Sequence, residues 1–237
     1  MSKQNIIMAW SGGKDSSLAL WKLLNSKRYN VVALLSTFTE EYDRLSMHGV
    51  RRKLIQEQAD KIGLPLLEMF VNKKSNKEYE YQMDKALNEA KDKWSITGVA
   101  FGDIFLEDLK EYRDNNLSKV ELAGVYPLWK IPTSAISEEF LKEGFKTKIC
   151  CVNDKHLNQN FVGVDYNKDF LEKLPTEVDV CGENGEFHSF CYEGPIFKSA
   201  LQVKVGEKLY KPLDKEFQVD GTKGFWFADV LPIDCKD

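Results

Sequence analysis

The sequence contains no apolar run approaching the ~20 residues that a membrane-spanning helix needs, so no such helix is expected. It has no basic excess either. Its 33 Lys and Arg stand against 37 Asp and Glu for a net charge of −4, which argues against a dedicated nucleic-acid surface. Histidine is scarce, with three in 237 residues, and the five cysteines are odd in number and form no C-x-x-C pair. Cys150 and Cys151 are adjacent, while Cys181, Cys191 and Cys235 are scattered. That distribution excludes a disulfide framework, and Cys181, Cys191 and His188 have no familiar zinc spacing. The opening Met1–Asn5 lacks the apolar core of a signal peptide, so a reduced, cytoplasmic protein is expected. Internal repeats and low-complexity tracts are also missing. What is present, 43% hydrophobic and 30% charged residues, suits a folded core and excludes disorder, collagen and coiled coil.

Hydrophobic periodicity organises the first half. Asn5–Trp10 is an apolar run that stops at a glycine-bearing turn, and a helix pattern with Leu20, Leu23 and Leu24 follows. Val31–Leu35 reads as a strand covered on both faces, a polar loop runs from Thr37 to Gly49, and a helix closes at Gly63. Further strands are predicted at Pro65–Val71, Ile96–Phe101 and about Val125–Trp129, with helices at Tyr79–Trp94 and Phe105–Leu122 between them. This alternation implies βαβ units and a parallel sheet. After Ile131-Pro132 the rhythm changes. Short helices at Ser137–Glu143 and Asn167–Lys173 accompany strands at Phe145–Val152, Phe187–Tyr192, Leu201–Val205, Glu216–Val219 and Phe225–Leu231. The expectation is an α/β domain over 1–132 and a smaller α+β domain over 133–237.

The turn Ser11-Gly12-Gly13-Lys14-Asp15-Ser16 stands after a buried strand and before a helix, where an anion site belongs. Two glycines let the backbone approach a phosphate, and the turn's N–H groups can surround its oxygens. Lys14 adds positive charge, and Ser11, Ser16 and Ser17 add hydroxyls. Asp15 beside a polyphosphate requires a divalent cation between them, so a contact to Mg²⁺ is expected. The plain alternative is a Gly-Gly turn with Asp15 or Ser16 as a helix N-cap. The Walker A spacing is absent.

The string Ser-Gly-Gly-Lys-Asp-Ser resembles the signature of the N-type (PP-loop) ATP pyrophosphatases. Ser46-Met47-His48-Gly49-Val50, Gln58–Pro65, Phe101-Gly102-Asp103-Ile104, Pro127-Leu128-Trp129, Cys181–Phe190 and Gly194-Pro195-Ile196-Phe197 are similar to segments of one branch, the diphthine–ammonia ligase (diphthamide synthase) family. The resemblance implies a Rossmann-like five-stranded parallel sheet with helices on both faces and a smaller second domain. It also implies an enzyme that uses ATP to adenylate a carboxylate, releases pyrophosphate and AMP, and takes ammonia as nucleophile. The partners implied are ATP, ammonia and a carboxylate, in this family that of a modified histidine on elongation factor 2. A homodimer is one possible assembly, which the residues do not make legible. The late segment departs from the family pattern, which reads Glu-Gly-Gly-Glu-(Phe/Tyr)-Glu-Thr, because His188 replaces the third glutamate. The variant resembles a bacterial subgroup associated with corrinoid (cobalamin) salvage, so a small-metabolite carboxylate is the alternative substrate. A non-catalytic nucleotide-binding module is the third reading.

Roles follow on this basis. The loop backbone from Ser11 to Ser16, with Lys14, would stabilise the departing pyrophosphate. Thr37, at a strand end, would border adenine or ribose, or else be plain surface. His48 would approach phosphate or substrate, or cap the following helix. Gly102 would allow close backbone approach, and Asp103 would orient ribose, a cation or ammonium, or serve as an N-cap. Glu183, Glu186 and His188 would face the nucleotide across a cleft, the carboxylates binding ammonium or acting as general base. The alternative is a solvated Asn-Gly turn.

Overall fold

The computed structural model describes residues 2–72, 76–218 and 220–233. Its first half alternates β1 (Gln4–Ala9), α1 (Lys14–Leu24), β2 (Tyr29–Thr39), β3 (Arg44–Leu45), α2 (Arg52–Ile62), β4 (Leu66–Val71), α3 (Asn76–Trp94), β5 (Gly98–Ala100), α4 (Glu107–Lys119) and β6 (Ala123–Val125). Five strands run parallel in the order β4-β2-β1-β5-β6. The sheet has a sixth member, which the polar stretch from Thr37 did not suggest. Register with β1 ends at Ala9 opposite Leu35, so the last residues of β2 would leave ladder groups open. β3 folds back antiparallel and pairs Leu45 with Phe38 and Arg44 with Thr39.

Side chains on β1 alternate between two cores, as strand geometry requires. Ile6 and Met8 join Leu18, Leu20, Leu54 and Ile55 on the face under α1 and α2. Ile7 joins Ala33, Leu35, Leu87, Ala90 and Leu117 on the face under α3 and α4. Leu24, expected in the apolar face of α1, is exposed instead, and Leu18 is buried in its stead. The chain moves from β1 to β2 and β4 on one side, then crosses to β5 and β6 on the other. The gap between β1 and β5 is therefore the switch point, where ligands collect at the carboxyl ends of such sheets.

The second half contains α5 (Thr133–Lys142), β7 (Lys146–Asn153), α6 (Lys168–Lys173), β8 (Phe187–Glu193), β9 (Val203–Pro212) and β10 (Gly224–Pro232). Its strands form an antiparallel sheet in the order β8-β7-β10-β9. Two predicted strands are corrected. Pro212 pairs with Gly224, so residues between them are the loop of a hairpin, and Lys215–Phe217 make a 3-10 turn there. Val219 lies outside the described residues. The fifth parallel strand ends at Val125, because Pro127 has no N–H to continue a ladder and Trp129 turns back onto the Tyr126 carbonyl.

The first core cluster continues without a break into Phe140, Phe145, Ile149, Phe187 and Phe190. The change of rhythm near residue 132 thus separates two sheets that share one core. No helix among the described residues is long and apolar enough to cross a membrane.

Candidate functional site

The loop from Ser11 to Gly13 fills the switch point. Gly12 has φ +66°, the left-handed region that favours glycine, and a methyl there would meet Gln58 Oε1 at 2.5 Å. Gln58 is fully buried and knits the site: Trp10 Nε1 donates to its Oε1 at 2.9 Å, and its Nε2 donates to the carbonyls of Gly12 (3.0 Å) and Cys191 (2.6 Å). A methyl on Gly102 would fall 2.9 Å from the Ser16 nitrogen, so only glycine lets the loop after β5 lie against the first turn of α1.

The second sheet closes over this loop. Cys191 N–H donates to the Gly12 carbonyl (2.8 Å), and Ser189 Oγ accepts the Lys14 N–H (3.1 Å). The serines of the loop bond inward, Ser11 Oγ to Ser16 Oγ and Ser16 Oγ to the Gly13 carbonyl, both at 3.0 Å. Ser17 Oγ is buried and lies by the Cys191 thiol. The N-cap of α1 is Gly13, and neither Asp15 nor Ser16 caps it.

Lys14 is 2% exposed, and its Nζ contacts both Asp15 oxygens, at 2.6 and 2.7 Å. The same Nζ lies 5.8 Å from the Phe187 ring centre and 6.0 Å from that of Tyr166. Burial works most strongly against the ammonium, but Asp15, together with Cys181 and Tyr166, outweighs it and holds the Lys14 pKa above the ordinary lysine range. Burial pushes the Asp15 carboxyl up and Lys14 opposes it. With an ammonium on both oxygens we read the pair as ionised. Asp15, expected to touch Mg²⁺, has both of its oxygens on the Lys14 ammonium. Among the described residues no three His, Cys, Asp or Glu side chains cluster as a metal cage. The donor set does not fit a metal held by the protein alone.

Further carboxylates ring the pair. Glu183 Oε1 accepts from the N–H groups of Ile104 (2.7 Å) and Phe105 (3.3 Å), joining the turn before β8 to the loop after β5. Burial, with Asp15 nearby, raises Glu183 to about 7, although those two hydrogen bonds oppose the shift. Asp103 pairs with Arg113 at 3.1 Å and is pushed up by burial against that pairing. It does not cap α4, whose N-cap is Leu106. Asp179 accepts from Thr133 Oγ1 at 2.7 Å and from Cys181 N–H at 2.8 Å. Glu186, expected to face the nucleotide, is turned into its own turn and 1% exposed. Its oxygens accept from the Asp179 N–H (3.0 Å), the Asn184 N–H (2.9 Å) and Asn184 Nδ2 (3.0 Å). A carboxylate so engaged shapes the turn that presents Glu183.

On the opposite side His48 and His188 stack with ring centres 4.5 Å apart. A methyl on Gly13 would lie 3.5 Å from His48 Cε1, so this pair roofs the loop. Burial lowers His188 to about 4, with Lys14 adding to the effect. Burial and then His188 lower His48 well below its ordinary value. Both rings are neutral at pH 7. His48 sits in a tight turn after β3, and the other sheet fixes that turn. Arg44 donates to the Gly49 carbonyl (2.8 Å) and to Asp229 (2.9 Å), while Arg51 grips both Asp229 oxygens at 3.0 and 2.7 Å. Thr37 lies at the end of β2, half-buried, with its carbonyl accepting the Ser46 N–H at 3.0 Å.

The structure thus brings Gly13, Lys14, Asp15, Gly102, Asp103, Glu183, His48 and His188 to one place. Sequence reasoning missed Ser189 as the cap of α1, Gln58 as the buried tie, Tyr166 as part of the wall, and Asp179. Gln58 and Ser189 stand inside distinctive segments, so a signal existed for them, whereas an isolated tyrosine such as Tyr166 carries none.

A glycine loop at the switch point of a mainly parallel sheet, closed by a second antiparallel sheet, defines an α/β protein of PP-loop type. Residues 4–122 match the diphthamide synthase N-terminal domain and residues 132–225 the diphthamide synthase C-terminal domain, so the chain belongs to the diphthamide synthase family. A diphthine–ammonia ligase of Danio rerio is 26% identical over 224 residues, which cover 83% of this chain and 85% of that protein. The diphthine–ammonia ligase of Homo sapiens is 25% identical over 231 residues, covering 86% and 84%. Among solved structures, the U34-tRNA thiolase NcsA of Methanococcus maripaludis aligns over 60% of this chain and 58% of its own at 18% identity and a TM-score of 0.37, too loosely to bear on function.

Proposed function

We propose that the protein is an ATP-dependent amide-forming ligase of diphthine–ammonia ligase type. A carboxylate oxygen attacks the α-phosphorus of ATP, the bond to the β-phosphate breaks, and pyrophosphate leaves. Ammonium then gives a proton to the Glu183 carboxylate, the nitrogen lone pair adds to the acyl carbon, and as the C–O bond to AMP breaks the nitrogen passes its surplus proton to the departing phosphate. The loop backbone and Lys14 stabilise the leaving pyrophosphate, which asks for positioned charge and little covalent chemistry from the protein. Mg²⁺ would enter with the phosphates, and no step here depends on it. Thr37 and Asp103, at the strand ends, border the nucleoside. His48 and His188 supply neutral donors above Gly13. Glu186 acts by shaping the turn.

The observation that carries this reading is Glu183, a half-buried carboxyl raised to about 7 by burial and fastened to the loop after β5 beside Asp15. A base with that affinity is partly ionised at neutral pH, as proton transfer from ammonium requires.

The neutral stack of His188 on His48 favours keeping a second substrate in view, because a family glutamate would bring negative charge to this wall. A small corrinoid carboxylate is that alternative. The experiment is pyrophosphate release with ATP, ammonium and either diphthine-bearing elongation factor 2 or corrinoid acids. Acid-dependent release assigns the substrate. ATP binding with no release from any acid would replace the ligase by a nucleotide-sensing module.

A further inference from the structure

We infer that the position filled by the Lys14 ammonium is the protein's own binding site for the substrate ammonium ion, vacated when Lys14 turns to the nucleotide. The inference rests on the ligase reading and adds the place where the nitrogen is held.

Three features make that position an ammonium site. The Asp15 carboxylate meets Nζ with both oxygens, at 2.6 and 2.7 Å, and so matches an N–H donor cation. Phe187 and Tyr166 lie 5.8 and 6.0 Å from the nitrogen, within cation–π range. Both rings are fixed before any ligand arrives. The Tyr166 hydroxyl donates to the Val180 carbonyl (2.9 Å) and shares a hydrogen bond with Ser137 Oγ (2.6 Å), and Phe187 packs edge-on against Phe170 at 5.4 Å. The site is also partly screened from water: Lys14, Cys181 and Phe187 are buried, while the Asp15 side chain keeps 29% of its surface exposed.

Lys14 is the first residue of α1, directly after the glycines, so its side chain can serve either Asp15 or a polyphosphate on the loop. In the second case Asp15 loses its counter-ion beside the position that Nζ leaves, which favours entry of another cation there. Two aromatic rings and one carboxylate suit a monovalent ion that donates hydrogen bonds. They do not suit Mg²⁺, which demands near-octahedral oxygen coordination. Asp179 and Glu183 act on Asp15 or Lys14 electrostatically, and both add negative potential there. An ion at the Nζ position would thus have Glu183 in its neighbourhood as the proton acceptor.

Two experiments decide the matter. Crystals of the wild-type protein are soaked with α,β-methylene ATP, Mn²⁺ and Tl⁺, the last as an ammonium-sized anomalous scatterer. The expected result is Lys14 on the phosphates and a Tl⁺ peak between Asp15, Phe187 and Tyr166. Nucleotide on the loop with Lys14 still on Asp15, or Mn²⁺ at the Nζ position, overturns the site. Thermal unfolding of Lys14→Ala needs no nucleotide. Its Tm should rise by a few degrees in ammonium chloride over equal sodium chloride, while wild type and Lys14→Ala/Asp15→Asn show no such difference. Equal responses in all three proteins overturn the site. A loop that binds no nucleotide counts against the ligase reading, and the Lys14→Ala comparison then still decides whether ammonium is bound.

Discussion

Ser189 Oγ, on β8 at the edge of the second sheet, accepts the backbone N–H of Lys14 at 3.1 Å across 175 residues of sequence. Helix α1 starts at Gly13 with no side-chain cap of its own, so a residue from the far half of the chain does what an N-cap does. The loop that would hold phosphate is therefore shaped only when both sheets are together.

Ser189→Ala should remove that cap. The loss expected is about 0.5–2 kcal/mol, as for other N-caps, together with weaker ATP binding because the loop loses its fixed shape. Urea unfolding and calorimetric titration with ATP check both. Unaltered affinity would show that the cap serves stability alone.

Gly102→Ala places a methyl 2.9 Å from the Ser16 nitrogen and 3.0 Å from the Asp15 carbonyl carbon. These atoms belong to one peptide unit, which cannot yield cheaply, so the first turn of α1 must move. We expect destabilisation of about 1–3 kcal/mol and loss of nucleotide binding out of proportion to it. A folded variant with wild-type ATP affinity would contradict the close approach.

Glu183, raised to about 7 chiefly by burial, should give turnover an acidic limb near that value. Glu183→Gln keeps an acceptor for the Ile104 N–H but cannot take a proton. It should lower the rate by about 10²-fold or more and abolish the limb. The linkage has a definite sign. The folded protein holds the Glu183 proton more tightly than the unfolded chain, so this group's contribution to stability is full below about pH 4.5 and is lost as pH rises through about 7. Denaturation of wild type and variant across that window measures the difference.

The histidine pair has the opposite sign. His188 is held down near 4, so between about pH 6.5 and 4 the unfolded chain binds protons that the folded protein refuses. Stability from this pair is complete above pH 6.5 and declines as pH falls through 4. His188→Gln should flatten the slope, and the imidazole signals of the folded protein should keep their neutral shifts at pH 6. Ordinary titration of either ring near 6.5 would refute the buried stack.

Much of the frame was legible from local pattern. The 3.6-residue spacing of Tyr79 to Trp94, the buried runs at Ile6–Met8 and Val31–Leu35, and Gly63 closing α2 each record constraints that act over a few residues. The misreadings lie where a distant partner decides. Lys215–Phe217 has strand-like neighbours, yet pairing of Pro212 with Gly224 makes it the tip of a hairpin. Leu24 fits an apolar stripe but falls beyond the edge of the core. Glu186 and Glu183 stand in one short segment, and only the path of the turn directs the first inward and the second across to Ile104.

The sequence alone determined the strand–glycine loop–helix unit, the alternation that makes a parallel sheet, and the family, because these depend on residue type and spacing along the chain. Tertiary structure decided that Lys14 rests on Asp15 between Phe187 and Tyr166, that His48 meets His188, and that Ser189 caps α1. The links from Lys14 to Phe187, Tyr166 and Ser189 and from His48 to His188 join residues more than a hundred positions apart, and the surroundings so assembled set the charge of each group, which no local pattern contains.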